Sequence, residues 1–283
     1  SSDYTVSNVA PSVAASSISL NVGQDITLTV EQGETTGFRL GFTVTDNNSC
    51  VANGSTTKEF DHVAFNVYRS GITSAGCDEA SEFNAHYCYA WDVGTSTENN
   101  PRWDYSLAVA TTSNCAGPND IDEAFEVTFP LWYIADPTDG SVASETPHFA
   151  ENWLASVQAV DDDLASSSLT EATFGVELLS FLAFNLDTTL ISYGSIAPGN
   201  TTTPIVAVAT SSATGNVGLD EVLSGEDMCT NYTVPSSCYN GGQPEPTSTI
   251  QVQHQVYATS SVAYTDPQVT ALSSTSPNEL EIN

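Results

Sequence analysis

The chain of 283 residues is long enough for two domains that each bury a core, and its 40% hydrophobic content suits a globular protein. Its 35 acidic residues face only 4 basic ones, for a formal net charge of -31. Such a surface repels phosphates, which excludes nucleic acid and anionic membrane as partners and makes cations the natural counter-species; no apolar run is long enough to be a transmembrane span.

In chain order, residues 1–17 are small, polar and without period, and are expected to form an extended leader. Alternation of apolar and polar residues then begins at Ile18, Leu20 and Val22, repeats at Ile26, Leu28 and Val30, and returns at Phe38, Leu40, Phe42 and Val44. It resumes at Val63, Phe65 and Val67. A period of two places one face of each segment inward and the other in solvent, as in antiparallel strands. Residues 71–118 are less regular, hold Cys77, Cys88 and Cys115, and gather the aromatics Phe83, Tyr87, Tyr89, Trp91, Trp103 and Tyr105. A structureless loop of that length is improbable inside a compact domain, so short strands stapled by disulfides are expected.

Phe125, Val127, Phe129, Leu131 and Tyr133 share a face, and Pro130 inside that run predicts an edge strand or a bulge. Trp153, Ala155, Val157 and Ala159 make the next strand, and Leu169–Phe174 are expected to close the first pair of sheets. The boundary is placed at Gly175, giving domains over 18–174 and 175–283. The run GVELLSFLAFNLDTTL reads as a buried strand entering the second domain. Beyond it, β and turn signals alternate every eight to twelve residues, which is the rhythm of a β-sandwich. His254 falls in phase with Ile250, Val252 and Val256, as a core or boundary histidine would. Leu280 and Ile282 end the chain in strand phase. The fold class is therefore all-β, two tandem antiparallel sandwiches.

Cys50, Cys77, Cys88, Cys115, Cys229 and Cys238 form an even set without a zinc-type spacing, so disulfides in an oxidising compartment are expected. Cys229 and Cys238 close a short loop. Three pairings remain open for the other four, with Cys77–Cys88 and Cys50–Cys115 preferred. The opening SSDYTVSNVAPSVAASS reads as that of a processed secreted protein. Sequons at Asn47, Asn53, Asn200 and Asn231 permit glycosylation without implying it.

No G-x-S-x-G, H-E-x-x-H, P-loop or G-x-G-x-x-G motif occurs. The histidines His62, His86, His148 and His254 lie in separate segments, so nothing local supports a catalytic triad, and no catalytic, cofactor or metal residue is assigned. Two acidic clusters, Asp161-Asp162-Asp163 and Asp120, Asp122, Glu123, read first as solvated turns. A calcium site at the former comes second and a glycosidase carboxylate pair third. The aromatics between Tyr87 and Tyr105 offer a sugar-stacking surface only as a rival to a core. Lys58, the sole candidate for an isopeptide crosslink, lies in a polar turn.

Several stretches, VTDNNSC, NVYRSGI, FPLWYIADPTD, GVELLSFLAFNL with ISYGSIAPGN, and ATGNVGLDEVLSGEDM, resemble exported cell-surface proteins of ultra-small, reduced-genome candidate-phyla bacteria. Those proteins carry immunoglobulin-like (Ig-like) β-sandwich domains. The resemblance implies a disulfide-bonded surface or surface-layer component and carries over no catalytic residue. It also implies that the second domain lacks its last hairpin here or obtains it elsewhere. The expected function is a non-enzymatic, extracellular structural protein that self-assembles into a surface layer or filament. An adhesin or carbohydrate-binding module aimed at a glycan or partner cell is the alternative, and a secreted glycosidase a weaker third. Assembly is expected to join one copy's C-terminal edge to a neighbour's N-terminal segment through Val6, Val9 and Val13.

Overall fold

A computed structural model describes residues 7–50, 59–77, 84–92, 106–109, 115–188, 190, 208–228, 250–258 and 269–282. The chain is all-β: among the described residues there are antiparallel strands and short 3-10 turns but no α-helix. It divides into two compact units, Ser1–Ala183 with Thr214–Val217, and Phe184–Ala213 with Gly218–Asn283.

The strands of the first unit are β1 (Ser12–Val13), β2 (Ser19–Leu20), β3 (Glu34–Thr45), β4 (Phe60–Arg69), β5 (Cys88–Asp92), β6 (Ser106–Val109), β7 (Asp122–Trp132), β8 (Trp153–Asp161) and β9 (Thr170–Glu171). They form two sheets. One runs β1-β3-β7-β6, with β2 also on β3, and the other runs β5-β4-β8-β9. The alternating residues of β3 (Phe38, Leu40, Phe42, Val44) and β7 (Phe125, Val127, Phe129, Leu131) meet those of β4 (Val63, Phe65, Val67) and β8 (Trp153, Ala155, Val157, Ala159) in one buried cluster. Apolar area on the inner face of each sheet is thus removed from water by the other, at roughly 25 cal/mol per Å², which makes this unit a sandwich. Cross-strand aromatic pairs add to it. Phe42 stacks on its register partner Phe125 with centroids 5.5 Å apart, and Phe60 reaches Phe125 edge-on from the other sheet at 6.1 Å.

Pro130 lies inside β7 opposite the point where the register on β3 shifts between Thr35 and Phe38. Pro130 brings no N–H to the ladder, and the extra residue on β3 is the bulge that accommodates it. The less regular segment contributes β5, β6 and the disulfides Cys50–Cys115 and Cys77–Cys88. The second bridge pins residues 71–77 over the outer face of β4, where Tyr68 and Asn66 are buried as well as the inward Val67. Asn66 donates its amide to the Cys77 carbonyl. Cys229, Cys238, Lys58, Asn53, Asn200 and Asn231 lie outside the described residues; Asn47 is exposed.

Three expectations change. The segment expected as a free leader is partly built into the first unit: β1 pairs with β3 through Ser12–Thr45 and Val13–Val44, and Val13 is buried in the core. An apolar residue two positions from a proline on an open sheet edge finds its partner within the same molecule. The first unit also runs past Gly175, because Val176 bridges to Trp153 and Leu178 to Ile26, and both side chains are buried in its core. The apolar run at 175–190 is therefore shared, its first half inside the first unit and its second half exposed in the other. Finally, residues 252–254 form a 3-10 turn rather than a continuing strand, so His254 loses phase with its aliphatic neighbours and is exposed.

The second unit holds β10 (Phe184–Leu186), β11 (Ser211–Ala213), β12 (Leu219–Leu223), β13 (Val256–Tyr257), β14 (Thr270–Ala271) and β15 (Asn278–Ile282). They pair as β10-β11, β12-β15 and β13-β14. The C-terminal strand thus has a partner, with Leu280 opposite Glu221 and Ile282 opposite Leu219. Among the described residues of this unit Leu219 is the one buried large apolar side chain.

Candidate functional site

The antiparallel registers bring the acidic residues of distant segments to one end of the first sandwich. Thr45 at the end of β3 sits opposite Asp122 at the start of β7, and Phe60 at the start of β4 opposite Asp161 at the end of β8. The inward phase of each strand continues into a carboxylate there. Asp46 follows Val44, Glu123 precedes Phe125 and Asp161 follows Ala159, and these three are 0%, 1% and 0% exposed. Water is thereby largely removed from three acids that close the core.

Asp161 Oδ2 accepts the side-chain amide of Asn8 at 2.7 Å and its Oδ1 the N–H of Ala165 at 2.7 Å. Asp46 Oδ1 accepts the N–H of Asn48 at 2.8 Å, and Asn48 donates its side-chain amide to Asn8 Oδ1 at 3.1 Å. Asp46 Oδ2 is buried and has no hydrogen-bond partner. No ion pair reaches Asp46 or Asp161 among the described residues. Burial first, and then the charges of Asp161 and Asp162, push the Asp46 carboxyl above its ordinary value against the opposing N–H groups of Asn48 and Ser49. Glu59 is raised likewise, by burial and then by Asp162, Asp46, Asp161 and Asp163.

The acidic clusters of the sequence therefore separate. Asp162 and Asp163 are exposed turn residues, and Asp120 Oδ2 is occupied by the N–H groups of Ala116 and Gly117 at 3.0 and 2.9 Å. Asp161 instead joins Asp46, a residue that carried no signal in the sequence because its partner is 115 positions away. No three His, Cys, Asp or Glu side chains converge at metal-ligand spacing among the described residues, so any cation here draws on amide, carbonyl or water oxygens besides the carboxylates.

The opposite end of β4 carries a cationic centre. The Arg69 side chain, 10% exposed, lies 2.8 Å from Glu151 Oε1 and 3.3 Å from Asp136 Oδ2, the second contact at ion-pair distance without hydrogen-bond geometry. Asp136 also meets His86 Nδ1 at 3.2 Å and His148 Nε2 at 3.6 Å, and Glu151 meets His148 Nδ1 at 3.3 Å. The guanidinium stands 5.9 Å from the Tyr87 ring centroid. Two histidines that the sequence holds in separate segments are thus brought onto one carboxylate. Among the described residues neither imidazole hydrogen-bonds to a serine, threonine or cysteine side chain, so this is an ion network around Arg69 and no triad is assembled. Of the aromatic stretch, Tyr89 is buried against Trp153 at 5.7 Å and Tyr87 is half-buried beneath Arg69. Tyr89 thus serves the core and Tyr87 packs against the cluster of Tyr68, Cys77 and Cys88; Phe83, Trp103 and Tyr105 lie outside the described residues.

Compared with protein-family models, curated proteins and solved structures, the chain gives no significant match.

Proposed function

We propose that this protein is a non-enzymatic, extracellular structural component that associates with copies of itself in a surface layer or filament. Within that reading the first unit is an Ig-like sandwich and the second a further one, the two in tandem, as the resemblance in sequence implies. The supporting observation is the exposure of large apolar side chains on the short sheets of the second unit: Phe184 on β10 is 56% exposed and Val222 on β12 is 61% exposed. Two-stranded sheets are marginal alone, and an open edge with apolar side chains is a template for strand pairing. A second copy of the chain is the occupant in this reading; it carries the same charge of -31, so apolar and backbone complementarity must hold the copies together against their mutual repulsion, and association should strengthen with salt. The two disulfides fit an oxidising exterior.

Donation of the leader is no part of this reading in its original form, since Val13 fills its own core. Sedimentation and negative-stain microscopy of the purified chain test it. Ordered lattices or filaments are expected above a critical concentration, and Val222→Lys together with Phe184→Asp should abolish them. A chain that stays monomeric up to millimolar concentration in calcium-containing and calcium-free buffer overturns it.

A further inference from the structure

The Asp46–Asp161 end of the first sandwich is a second and independent matter. We propose that it binds a calcium ion, with the Asp46 and Asp161 carboxylates as charged ligands and the Asn8 amide oxygen beside them. The acidic composition alone would not carry this. What does is one atom: Asp46 Oδ2, in a residue that is fully buried, has no hydrogen-bond partner.

A buried carboxylate oxygen without a donor costs free energy that a stable fold recovers only through a proton, a water or a cation. A proton on Oδ2 would meet that demand only by removing the charge, whereas a cation meets it with the carboxylate ionised. It would also leave Asp161 held only by the neutral Asn8 amide and Ala165 N–H, with no ion pair among the described residues. A cation satisfies both demands, meeting the free oxygen and balancing the charge of the two carboxylates. Supporting residues hold the oxygens in place. Asn8 bridges Asp161 and Asn48, and Asn48 in turn anchors Asp46 Oδ1. The five elements that meet here, the segment before β1 and the ends of β3, β4, β7 and β8, converge only once the sandwich has formed, so binding is linked to folding.

Among the described residues no three His, Cys, Asp or Glu side chains converge here and the groups bonded to Asp46 and Asp161 are amides, so the further donors at hand are oxygens rather than the imidazoles and thiolates that zinc prefers. Calcium accepts six to eight oxygens at variable angles and completes its shell with carbonyls and water, whereas magnesium demands a near-ideal octahedron. A site with two carboxylates and an amide fits the more tolerant ion.

The test is calorimetric titration of calcium chloride into the EGTA-stripped full chain at fixed ionic strength, with thermal melts and a parallel magnesium titration. A saturable site of about one ion per chain, with magnesium at least about tenfold weaker, is expected. Asp46→Asn and Asp161→Asn should each weaken calcium by about tenfold or more, while Asp162→Asn, an equal loss of charge at an exposed position, should change it less than about threefold. Equal losses in all three variants would mean diffuse screening, and equal effects of calcium and magnesium would mean no selective site; either overturns the proposal. Should the buried variants fail to fold, the wild-type comparison of calcium, magnesium and matched sodium chloride still decides. A melting temperature that follows ionic strength alone overturns it.

Discussion

Trp153, fully buried at the start of β8, donates its indole N–H to the backbone carbonyl of Asp136 at 3.0 Å, while the carboxylate of that same residue faces Arg69, His86 and His148. Asp136 therefore joins the aromatic core to the ion network through two separate groups. Asp136→Asn keeps the backbone carbonyl and removes only the charge. Glu151 is then the one ion-pair carboxylate left on Arg69 among the described residues, beside its contacts with His148 and the Tyr87 ring. A loss of about 2 to 3 kcal/mol is expected, short of the roughly 3 to 5 of a fully broken buried pair. Urea unfolding followed by tryptophan fluorescence measures it, and an unchanged midpoint would show that the network contributes nothing net.

Acidification should stabilise the first unit. Asp46 and Glu59 are raised above their ordinary 3.8 and 4.5. A carboxyl held above its unfolded value binds its proton more tightly when folded, so its contribution is fully present below the unfolded value and is lost as pH rises through the folded one. In EGTA the melting temperature should therefore climb as pH is lowered from 7 to roughly 5, and Asp46→Asn should flatten part of that climb. Saturating calcium should reverse the trend, since protons and the ion compete for the same oxygens.

The two disulfides should differ in weight. Cys50–Cys115 spans 65 residues and Cys77–Cys88 spans 11. In the chain-entropy model these separations correspond to about 4 and about 3 kcal/mol. The double variant Cys50→Ala/Cys115→Ala should thus have the lower denaturation midpoint of the two double variants. The reverse order would show that the packing of residues 71–77 over β4 depends more on its bridge than loop length implies.

Gly215 and Gly218 offer a matched pair. A Cβ on Gly215 would stand 1.9 Å from the Phe181 carbonyl oxygen and 2.8 Å from the Ala183 nitrogen, both backbone atoms that cannot swing aside, whereas one on Gly218 meets nothing within 4 Å. Gly215→Ala should cost about 2 kcal/mol or more through forced backbone displacement, and Gly218→Ala should lie within about 0.5 kcal/mol of wild type. Differential scanning calorimetry separates them.

The strands that form the sandwich were legible because Phe38 to Val44, Val63 to Val67, Phe125 to Leu131 and Trp153 to Ala159 alternate strictly, and alternation is a local property. Pro130 marked its bulge for the same reason: a missing N–H must be accommodated wherever the strand runs. What stayed hidden depends on register between segments far apart in the chain. Asp46 and Asp161 look like ordinary turn acids until two sheets are stacked, and His86 and His148 look scattered until Asp136 stands between them. The sequence places the boundary at Gly175, short of Ala183, because an apolar run such as residues 175–190 has the same appearance whether one core or two receive it. Val13 carries no strand signal in the sequence because a two-residue strand is too short to show a period.

Thr214–Val217 belongs to the first unit although the residues on either side of it belong to the second. The Thr214 carbonyl accepts the N–H of Gln32 at 3.2 Å, its own N–H goes to the Ala183 carbonyl at 2.9 Å, and Asn216 exchanges bonds with Phe181 and Leu179. A genetic crossover that carried residues 1–183 into another gene would leave these four residues behind, and with them the partners of Gln32, Phe181 and Ala183. The first sandwich cannot be inherited as an uninterrupted cassette. Exchange between genes preserves it only when residues 184–213, with β10 and β11, travel with it, so part of the second unit is inherited with the first.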